Sequence, residues 1–250
     1  MIGGPALVNF LFRVRYGFRG APVNLLGRTF RLDESLRRWR TEGEEAVMRS
    51  ICENLRPGDV FVDVGANFGL HTLLGASCVG ESGQVVAIEP VPGNHRLLRR
   101  NLELNGLARR VSVITKAASD VGGGRVTLHG VTDGVSVAAS LRPHEGPESD
   151  VVVDATTLDD CLTDLARPVR LIKIDVEGAE HWVIRGAGRI LRDHRPLLLV
   201  EVHEFALADF DTSVEQFRND LQRLGYDEQV IDVIEGPEGR YYHALYRPRS

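Results

Sequence analysis

The stretch Val60-Phe61-Val62-Asp63-Val64-Gly65-Ala66-Asn67-Phe68-Gly69 decides the fold of this chain of 250 residues. Its pattern predicts a buried strand over residues 60–64, then a glycine turn, with a helix to follow. A second apolar strand, over residues 85–89, ends on Glu89. Glycines in such a turn let the backbone approach a ligand closely, and an acid ending the next strand can accept both hydroxyls of a ribose. The stretch therefore predicts a nucleoside-binding βαβ unit.

The turn departs from the dinucleotide fingerprint G-x-G-x-x-G, because Asp63-x-Gly65-x-Asn67-x-Gly69 spaces its small residues by two. An acid two residues before the first glycine would repel a pyrophosphate and can instead attract an amino group. This spacing argues against a nicotinamide-dependent oxidoreductase, the alternative from another enzyme class. The Tyr-x-x-x-Lys pair that would favour that alternative does not occur in the sequence.

Composition and charge narrow the class of protein further. An apolar fraction of 43% is ample for a core, and a net charge of −5 makes nucleic acid an unexpected partner. The three cysteines show no CxxC spacing, which fits a reducing cytoplasm. No apolar run approaches the roughly 18 residues of a membrane span. We therefore expect a cytoplasmic protein with no integral membrane segment and no nucleic-acid partner.

Two regions depart from the alternation of strands and helices that the rest of the sequence predicts. Arginines dominate residues 1–40, where Asp33 and Glu34 are the acids. We expect residues 1–43 to form an N-terminal helical arm or cap. The arginines of this region are either solvated, or belong to a cap over the active site, or form a surface for an anionic or carrier-bound substrate. Such an arm is compatible with a homodimer. The remaining domain, residues 44–250, contains a stretch at 119–150 without the α/β rhythm. So long a loop is usually functional, which predicts a substrate-side insertion.

Elsewhere the pattern predicts strands that alternate with helices, and hence a doubly wound, mostly parallel sheet with helices on both faces. Continuous apolar runs are typical of strands buried on both sides. The final two strands are more polar and are joined by a tight turn, which predicts an antiparallel pair. The remaining predicted strands are 111–115, 126–128, 151–153, 171–175, 197–202, 226–234 and 241–246, and the main helices are 44–55, 71–76, 92–104, 180–191 and 214–224.

Ligands of open α/β sheets bind beyond the carboxyl ends of the strands, so the residues at those ends are the site candidates. Their surplus of acids suits a cationic cofactor or a divalent metal better than a phosphate. Asp175, Glu201 and Glu204 could hold Mg²⁺ through oxygen ligands, but no spacing demands it, and we assign no metal ligand. His243 is expected at the surface. The candidates are Asp63, Gly65, Asn67, Gly69, Glu89, Lys116, Ala117, Ala118, Ser119, Asp120, Asp175, Glu177, Glu180, Glu201, His203 and Glu204.

Five motifs together resemble the FkbM family of S-adenosylmethionine-dependent methyltransferases. They are Asp-x-Gly-Ala-Asn-x-Gly (63–69), Ala-Ile-Glu-Pro (87–90), Lys-Ala-Ala-Ser-Asp (116–120), Leu-Ile-Lys-Ile-Asp-Val-Glu-Gly-Ala-Glu (171–180) and Glu-Val-His-Glu (201–204). The resemblance runs from about residue 44 to about residue 246. It implies the Rossmann-like class I methyltransferase fold, with a seven-stranded sheet whose last strand is antiparallel.

The resemblance also implies S-adenosyl-L-methionine as the cofactor, bound along the first three strands of the sheet. By that resemblance, Glu89 binds the ribose hydroxyls. The residues that would cradle the methionine moiety are Asp63, Gly65, Asn67 and Gly69, and those that would flank the adenine are Ala117, Ala118 and Ser119.

Methyl transfer from a sulfonium is an in-line displacement, and a hydroxyl needs help to lose its proton. His203 is the first candidate base, because an imidazole titrates near neutral pH. Asp175 is the second. Glu177 is expected to orient His203 or bind substrate, and Lys173 to hold the carboxylates in place. Strand alternation would put residues 173, 175 and 177 on one face.

These features predict an O-methyltransferase that acts on a hydroxyl of a small-molecule natural product or sugar. Methylation of a nitrogen or a carboxylate by the same fold is an alternative. A non-catalytic methyltransferase-fold partner protein is the alternative from outside enzymes. The intact set of residues at the strand ends argues against that last possibility.

Overall fold

The computed structural model describes residues 19–37, 39, 43–131, 136, 139–141, 149–237 and 239–249. Its strands are β1 (Ala21–Leu25), β2 (Arg28–Leu32), β3 (Val60–Val64), β4 (Gln84–Ile88), β5 (Val111–Ile114), β6 (Ala117–Ala118), β7 (Arg125–Val131), β8 (Ser149–Thr156), β9 (Val169–Ile174), β10 (Leu197–His203), β11 (Tyr226–Glu235) and β12 (Arg240–Pro248). Its α-helices are α1 (Glu45–Asn54), α2 (Leu70–Val79), α3 (Pro92–Leu104), α4 (Leu158–Cys161), α5 (Glu180–Arg185), α6 (Gly188–Asp193) and α7 (Val214–Arg223), with 3₁₀ turns at Glu34–Leu36 and Leu207–Phe210.

The central sheet has seven strands in the order β11-β12-β10-β9-β3-β4-β5. Strands β5, β4, β3, β9 and β10 are mutually parallel, whereas β12 is antiparallel to both of its neighbours. The predicted mostly parallel, seven-stranded sheet with an antiparallel last strand is therefore confirmed. β12 lies between β10 and β11 rather than at the edge of the sheet. The turn that joins β11 to β12 therefore lies beside the carboxyl end of β10.

Helices cover both faces of this sheet, and each face has its own apolar core. Helices α1, α2 and α3 pack on one face, where Phe61 and Leu73 are fully buried. Helices α5, α6 and α7 pack on the other, around Val62 and Phe217. Phe61 and Val62 point to opposite cores because side chains alternate along a strand. The continuous apolar run of β3 thus follows from burial on both sides.

The order of the strands creates a crevice beyond β3. The chain continues from β3 to β4 on one side, while β9 pairs with the other side of β3. The two connections leave in opposite directions, and such a switch point opens the ligand crevice of doubly wound sheets. The carboxyl ends of β3, β4, β9 and β10 therefore surround one site.

The described part of the N-terminal region is a hairpin, so the prediction of a helical arm is wrong there. Strands β1 and β2 pair antiparallel through the two-residue turn Leu26-Gly27, whose φ angles are 48° and 80°. Two positive φ angles match the twist of a hairpin, and the side chain of Asn24 accepts a hydrogen bond from Gly27 N at 2.9 Å. Phe30 packs into the core beside α1. The first 18 residues lie outside the described part.

The predicted helix 180–191 is divided into α5 and α6 around Gly186. A Cβ at this glycine would lie 2.1 Å from the carbonyl oxygen of Ser119, so the backbone passes too close for another residue. Asp159 then caps α6 by accepting from the amides of Arg189 and Ile190, at 2.7 and 2.9 Å. A contact distant in sequence therefore sets this break.

The 119–150 region is partly a second small sheet. β7 pairs antiparallel with β8, and β6 pairs parallel with β8. β7 and β8 contain the short strands predicted at 126–128 and 151–153, and both are longer than predicted. Most of the connection between them, residues 132–135 and 142–148 included, lies outside the described residues.

In the described ranges, no helix has the length and apolar character needed to span a bilayer.

Replacing Phe61 by alanine should lower the free energy of unfolding by about 3–5 kcal/mol, because its fully buried ring fills the core between β3 and α2. Urea unfolding followed by circular dichroism measures this change. Val152→Ala is the control: this side chain is 58% exposed on β8, and its loss should change stability by less than about 0.5 kcal/mol. Equal effects of the two substitutions would contradict the described core.

Candidate active site

The glycine turn after β3 touches the end of β9. Gly65, with φ of 75°, presents its backbone there, and a Cβ at this position would lie 1.7 Å from the carbonyl oxygen of Asp175. The amides of Gly65 and Ala66 both donate to the carbonyl of Ile88, each at 3.0 Å. The turn is therefore fixed between β4 and β9, and position 65 requires glycine.

Glu89 follows β4 and faces the same crevice. Its side chain accepts hydrogen bonds from the amides of Asn67 and Val91, both at 2.8 Å. The residue is only 4% exposed, and this burial raises the pKa of Glu89 to about 7 in spite of the two amide donors. A buried carboxylate therefore lies at the end of β4, beside the glycine turn.

A cavity lies beyond the ends of β3 and β4. The predicted cofactor residues in its wall are Gly65, Asn67, Glu89, Ala117 and Ala118, joined by Asp175 and Glu177. Oδ1 of Asn67 is buried without a hydrogen-bond partner in the described part of the chain. A buried, unpaired oxygen is costly, and a bound donor such as an ammonium group would satisfy it.

Three predicted cofactor residues lie behind this wall instead. Asp63 is fully buried and accepts from Thr72 Oγ1 at 2.5 Å, so it ties β3 to α2. A Cβ on Gly69 would strike Leu98 at 2.4 Å. Ser119 is buried, with its carbonyl against Gly186. These three residues pack against the elements that form the crevice and do not line it.

Asn94 is a residue of the cavity wall that sequence reasoning missed. From α3 it donates to the carbonyl of Ser136 at 2.6 Å and accepts from the amide of Ser136 at 3.1 Å. On the other side, Ser140 Oγ donates to the carbonyl of Glu177 at 2.8 Å. The described parts of the 119–150 insertion thus lie over the cavity and are tied to both of its sides. No local motif marks Asn94, because its partner is distant in sequence.

Lys173 lies in a buried ion-pair cluster. Its ammonium donates to Asp175 Oδ2 at 2.9 Å and lies 3.9 Å from Asp63 Oδ1. Burial alone would lower the pKa of Lys173, but these two carboxylates outweigh it and hold the pKa above its usual value. Burial would likewise raise the pKa of Asp175, but Lys173 and His203 bring it down to about 2. Lys173 remains a cation throughout the neutral range.

His203 ends β10 and is nearly enclosed, with 4% of its side chain exposed. Its Nδ1 is 2.8 Å from Glu180 Oε1, while its Nε2 lies 3.3 Å from Glu177 Oε2 and 3.5 Å from Glu201 Oε1. The ring stacks on Tyr241 at a centroid distance of 5.7 Å. The ring nitrogens therefore have fixed and different surroundings.

The charge state of His203 differs from the expectation of a base that titrates near neutral pH. Burial lowers its pKa, but the hydrogen bond and charge of Glu180, with the charges of Glu177 and Asp175, raise it to about 10. The imidazole of the free protein therefore carries a proton at pH 7. A protonated imidazole is not a general base.

Glu177 stands where two recesses meet. Its φ of 55° places it beyond β9 in the left-handed region, so the expected strand alternation ends before it. Burial raises the pKa of Glu177 to about 8, against the opposing charge of His203. It lines the cavity described above and also a cleft whose other walls are Glu201, His203, Phe205, Gly236, Pro237, Gly239 and Tyr241.

His243 is buried, so the prediction that it lies at the surface is wrong. It is 4% exposed on β12, with Nε2 2.9 Å from Glu201 Oε2 and Nδ1 2.6 Å from Asp232 Oδ1. Burial lowers the pKa of His243, but these two carboxylates raise it to about 9. The three residues pair across β10, β12 and β11, a register that local sequence does not reveal.

The three acids considered for Mg²⁺ are not brought together. Glu204 instead lies 3.4 Å from Arg240 Nε, and Glu201 faces His203 and His243. Among the described residues, Asp175, Glu177 and His203 form the group whose potential ligand atoms all lie within 4.8 Å of one another.

Comparison with known proteins now identifies the family. A sequence profile described as the Methyltransferase FkbM domain matches residues 63–228, which hold the whole crevice from Asp63 to β10. The chain belongs to the FkbM methyltransferase family. Methyltransferase 1 of Beauveria bassiana is 30% identical over 148 residues, which cover 52% of this chain. The aligned part spans 59% of that relative's own length.

Solved structures share the fold of this FkbM protein at low sequence identity. An S-adenosylmethionine-dependent O-methyltransferase from Thermotoga maritima has a TM-score of 0.52 at 16% identity, covering 93% of this chain and 78% of its own. A Streptococcus mutans protein solved with SAH has a TM-score of 0.51 at 11% identity, covering 81% and 96%. An rRNA methylase from Streptococcus thermophilus has a TM-score of 0.52 at 12% identity, covering 82% and 96%. The class I methyltransferase fold is thereby established.

Replacing Glu89 by glutamine should remove a pH-dependent loss of stability. The folded-state pKa of Glu89, about 7, lies above its ordinary value of 4.5, so the folded protein binds this proton more tightly than the unfolded chain. The stabilising contribution is fully present below pH 4.5 and is lost as the pH rises through about 7, by on the order of 3 kcal/mol. Urea unfolding of the ligand-free protein should show Glu89→Gln gaining stability relative to wild type from about pH 5 to 8.

The exposed Glu103 on α3 supplies the control, since Glu103→Gln should keep a constant offset from wild type over the same range. A Glu89→Gln offset that is equally constant would show that Glu89 titrates normally.

Proposed function

We propose that this FkbM protein transfers a methyl group from S-adenosylmethionine to a hydroxyl oxygen of a small molecule, a sugar or natural product. The observation that carries the proposal is the position of Glu177, which lines both the cavity beside Glu89 and the cleft beside His203. A cofactor in the cavity and an acceptor in the cleft would meet at this residue.

In this proposal the cofactor lies along the ends of β3 and β4. Glu89 accepts from the ribose hydroxyls, and the unpaired Oδ1 of Asn67 accepts from the amino group of the methionine moiety. Gly65 leaves room for that moiety, while Ala117 and Ala118 contact the adenine. When bound, the cofactor supplies a methyl group on a sulfonium, which an oxygen attacks in line. Asp63, Gly69 and Ser119 act indirectly, by holding the turn and its neighbours.

The cleft suits an uncharged or cationic small acceptor. Phe205 and Tyr241 supply aromatic walls that can pack on the apolar face of a ring, and Glu177, Glu201 and His203 supply the polar groups. The net charge of −5 argues against RNA as the acceptor, although the fold is shared with an rRNA methylase. The polar groups crowd around one point, where a hydroxyl would be held for attack.

Cofactor binding is tested by calorimetric titration with S-adenosylmethionine. Glu89→Ala should weaken binding about 10–100-fold, since it removes charge-assisted hydrogen bonds to the ribose. Glu103→Ala, on the exposed face of α3, should bind as wild type does. Absence of binding to the wild-type protein, or binding unaffected by Glu89→Ala, would refute the assignment.

The acceptor side is tested with radiolabelled S-adenosylmethionine and a panel of hydroxylated sugars and polyketides, with RNA, amines and carboxylic acids included. His203→Asn should bind the cofactor normally but lose methyl transfer by about 100-fold or more, because the smaller, uncharged side chain no longer holds Glu177 and Glu201 around the acceptor hydroxyl. Transfer to RNA, or to amines or carboxylic acids in preference to hydroxyls, would overturn the proposal. So would full transfer by His203→Asn.

A further inference from the structure

We propose that Asp175, Glu177 and His203 bind a divalent cation where the cofactor cavity meets the acceptor cleft. One potential ligand atom from each residue lies within 4.8 Å of those of the other two. Asp175 comes from the end of β9, Glu177 from the turn beyond it, and His203 from the end of β10. Two carboxylates and one imidazole match the charge and the mixed nitrogen and oxygen preference of a cation such as Mn²⁺.

The distances around Nε2 of His203 suit metal ligands better than hydrogen bonds. The nearest carboxylate oxygens, from Glu177 and Glu201, are 3.3 and 3.5 Å away. An N–H···O hydrogen bond is normally about 2.7–3.2 Å long. Two ligands about 2.1 Å from one metal lie about 3.0 Å apart at a right angle and about 3.4 Å apart at the tetrahedral angle. The 3.3 Å between His203 Nε2 and Glu177 Oε2 is therefore the spacing of two ligands of one small ion.

Glu180 provides an independent sign of the same chemistry. Its side chain is fully buried. Oε1 of Glu180 accepts a hydrogen bond from the amide of Gly178 at 2.9 Å and lies 2.8 Å from Nδ1 of His203. A carboxylate on Nδ1 keeps the proton on that nitrogen and turns Nε2 toward the cluster, which is the arrangement found behind metal-binding histidines. A cation that binds here displaces the proton of Nε2. Glu180 is therefore a positioning residue for His203.

Lys173 and the local backbone fix the orientations of the Asp175 and Glu177 carboxylates. Lys173 donates to Oδ2 of Asp175, so Oδ1 is the oxygen left for a cation in the described part of the chain. The left-handed φ of Glu177, 55°, is a strained conformation for glutamate, and Ser140 Oγ holds its carbonyl. Such strain persists where the surroundings fix a side chain for a task.

A cation here would activate the acceptor of the proposed methyl transfer, and this part of the inference rests on the proposed function. Held by Asp175, Glu177 and His203, the cation would act as a Lewis acid that favours loss of the hydroxyl proton, and the Glu201 carboxylate on the cleft wall would accept that proton. The oxygen lone pair then forms the bond to the methyl carbon as the carbon–sulfur bond breaks, and the sulfur keeps that electron pair.

Mn²⁺ alone is the probe for this site. Titration of the full chain, followed by electron paramagnetic resonance of free Mn²⁺, should show one ion bound per chain at concentrations below about 1 mM. Pulsed measurements on the bound ion should show coupling to a directly ligated ¹⁴N nucleus, which carboxylates cannot produce. No stoichiometric binding in this range, or binding without the nitrogen coupling, would overturn the inference.

Variants locate the ion. Asp175→Asn, Glu177→Gln and His203→Gln should each weaken binding by tenfold or more, and His203→Gln should abolish the nitrogen coupling. Glu180→Gln should weaken binding about tenfold or more but keep the coupling, as a positioning residue does. Glu204→Gln is the control, because Glu204 faces Arg240, and it should bind as wild type does. Circular dichroism confirms folding, and the wild-type measurement stands if a variant fails to fold.

The cation site and the proposed methyl transfer can be refuted independently of each other. Cofactor binding without Mn²⁺ binding would remove the cation and leave the proposed methyl transfer intact. Mn²⁺ binding to a chain that does not bind S-adenosylmethionine would retain the cation site and refute the proposed function.

Discussion

The buried ammonium of Lys173 holds the two central strands of the sheet together at their carboxyl ends. It lies 2.9 Å from Asp175, 3.9 Å from Asp63 and 3.5 Å from the carbonyl of Gly65, so it contacts both β9 and the turn after β3. A charge in this setting is stable only with its partners, and loss of one partner costs about 3–5 kcal/mol. Asp63 extends the network to α2 through Thr72, and Asp175 extends it to His203. The glycine turn after β3 and the polar group around His203 therefore rest on one ion-pair cluster.

Local sequence was sufficient for those parts of the fold whose structure depends on near neighbours. The apolar run 60–64 and the helix 92–104 have the predicted bounds, because burial on two faces and helical spacing are written in consecutive residues. The hairpin over 21–32 was missed, since apolar and arginine-rich composition says little about pairing. The break at Gly186 was missed because the constraint comes from Ser119, far away in the chain.

The same distinction applies to the site. Motifs beside the strand ends predict the positions of Gly65, Asn67 and Glu89, since parallel strands bring those ends together. They do not reveal that Asp63 faces the core, that Glu177 adopts a left-handed backbone, or that His243 is buried. Each of these depends on cross-strand register or on a tertiary contact. The charge of His203 likewise follows from three carboxylates, those of Glu180, Glu177 and Asp175, which only the folded chain brings together.

The position of β12 between β10 and β11 separates the two recesses of the molecule. The cavity beside Glu89 is built from the half of the sheet around β3 and β4, whereas the turn after β11, with Gly236 and Gly239, walls the cleft beside His203. This wall belongs to a hairpin near the end of the chain, and Glu177 is where the two halves meet. Under the proposed function, changes in the hairpin would alter which molecule the cleft admits, while the half of the sheet around β3 and β4 stays as it is. Such modularity would let related chains diversify their acceptors by remodelling one turn.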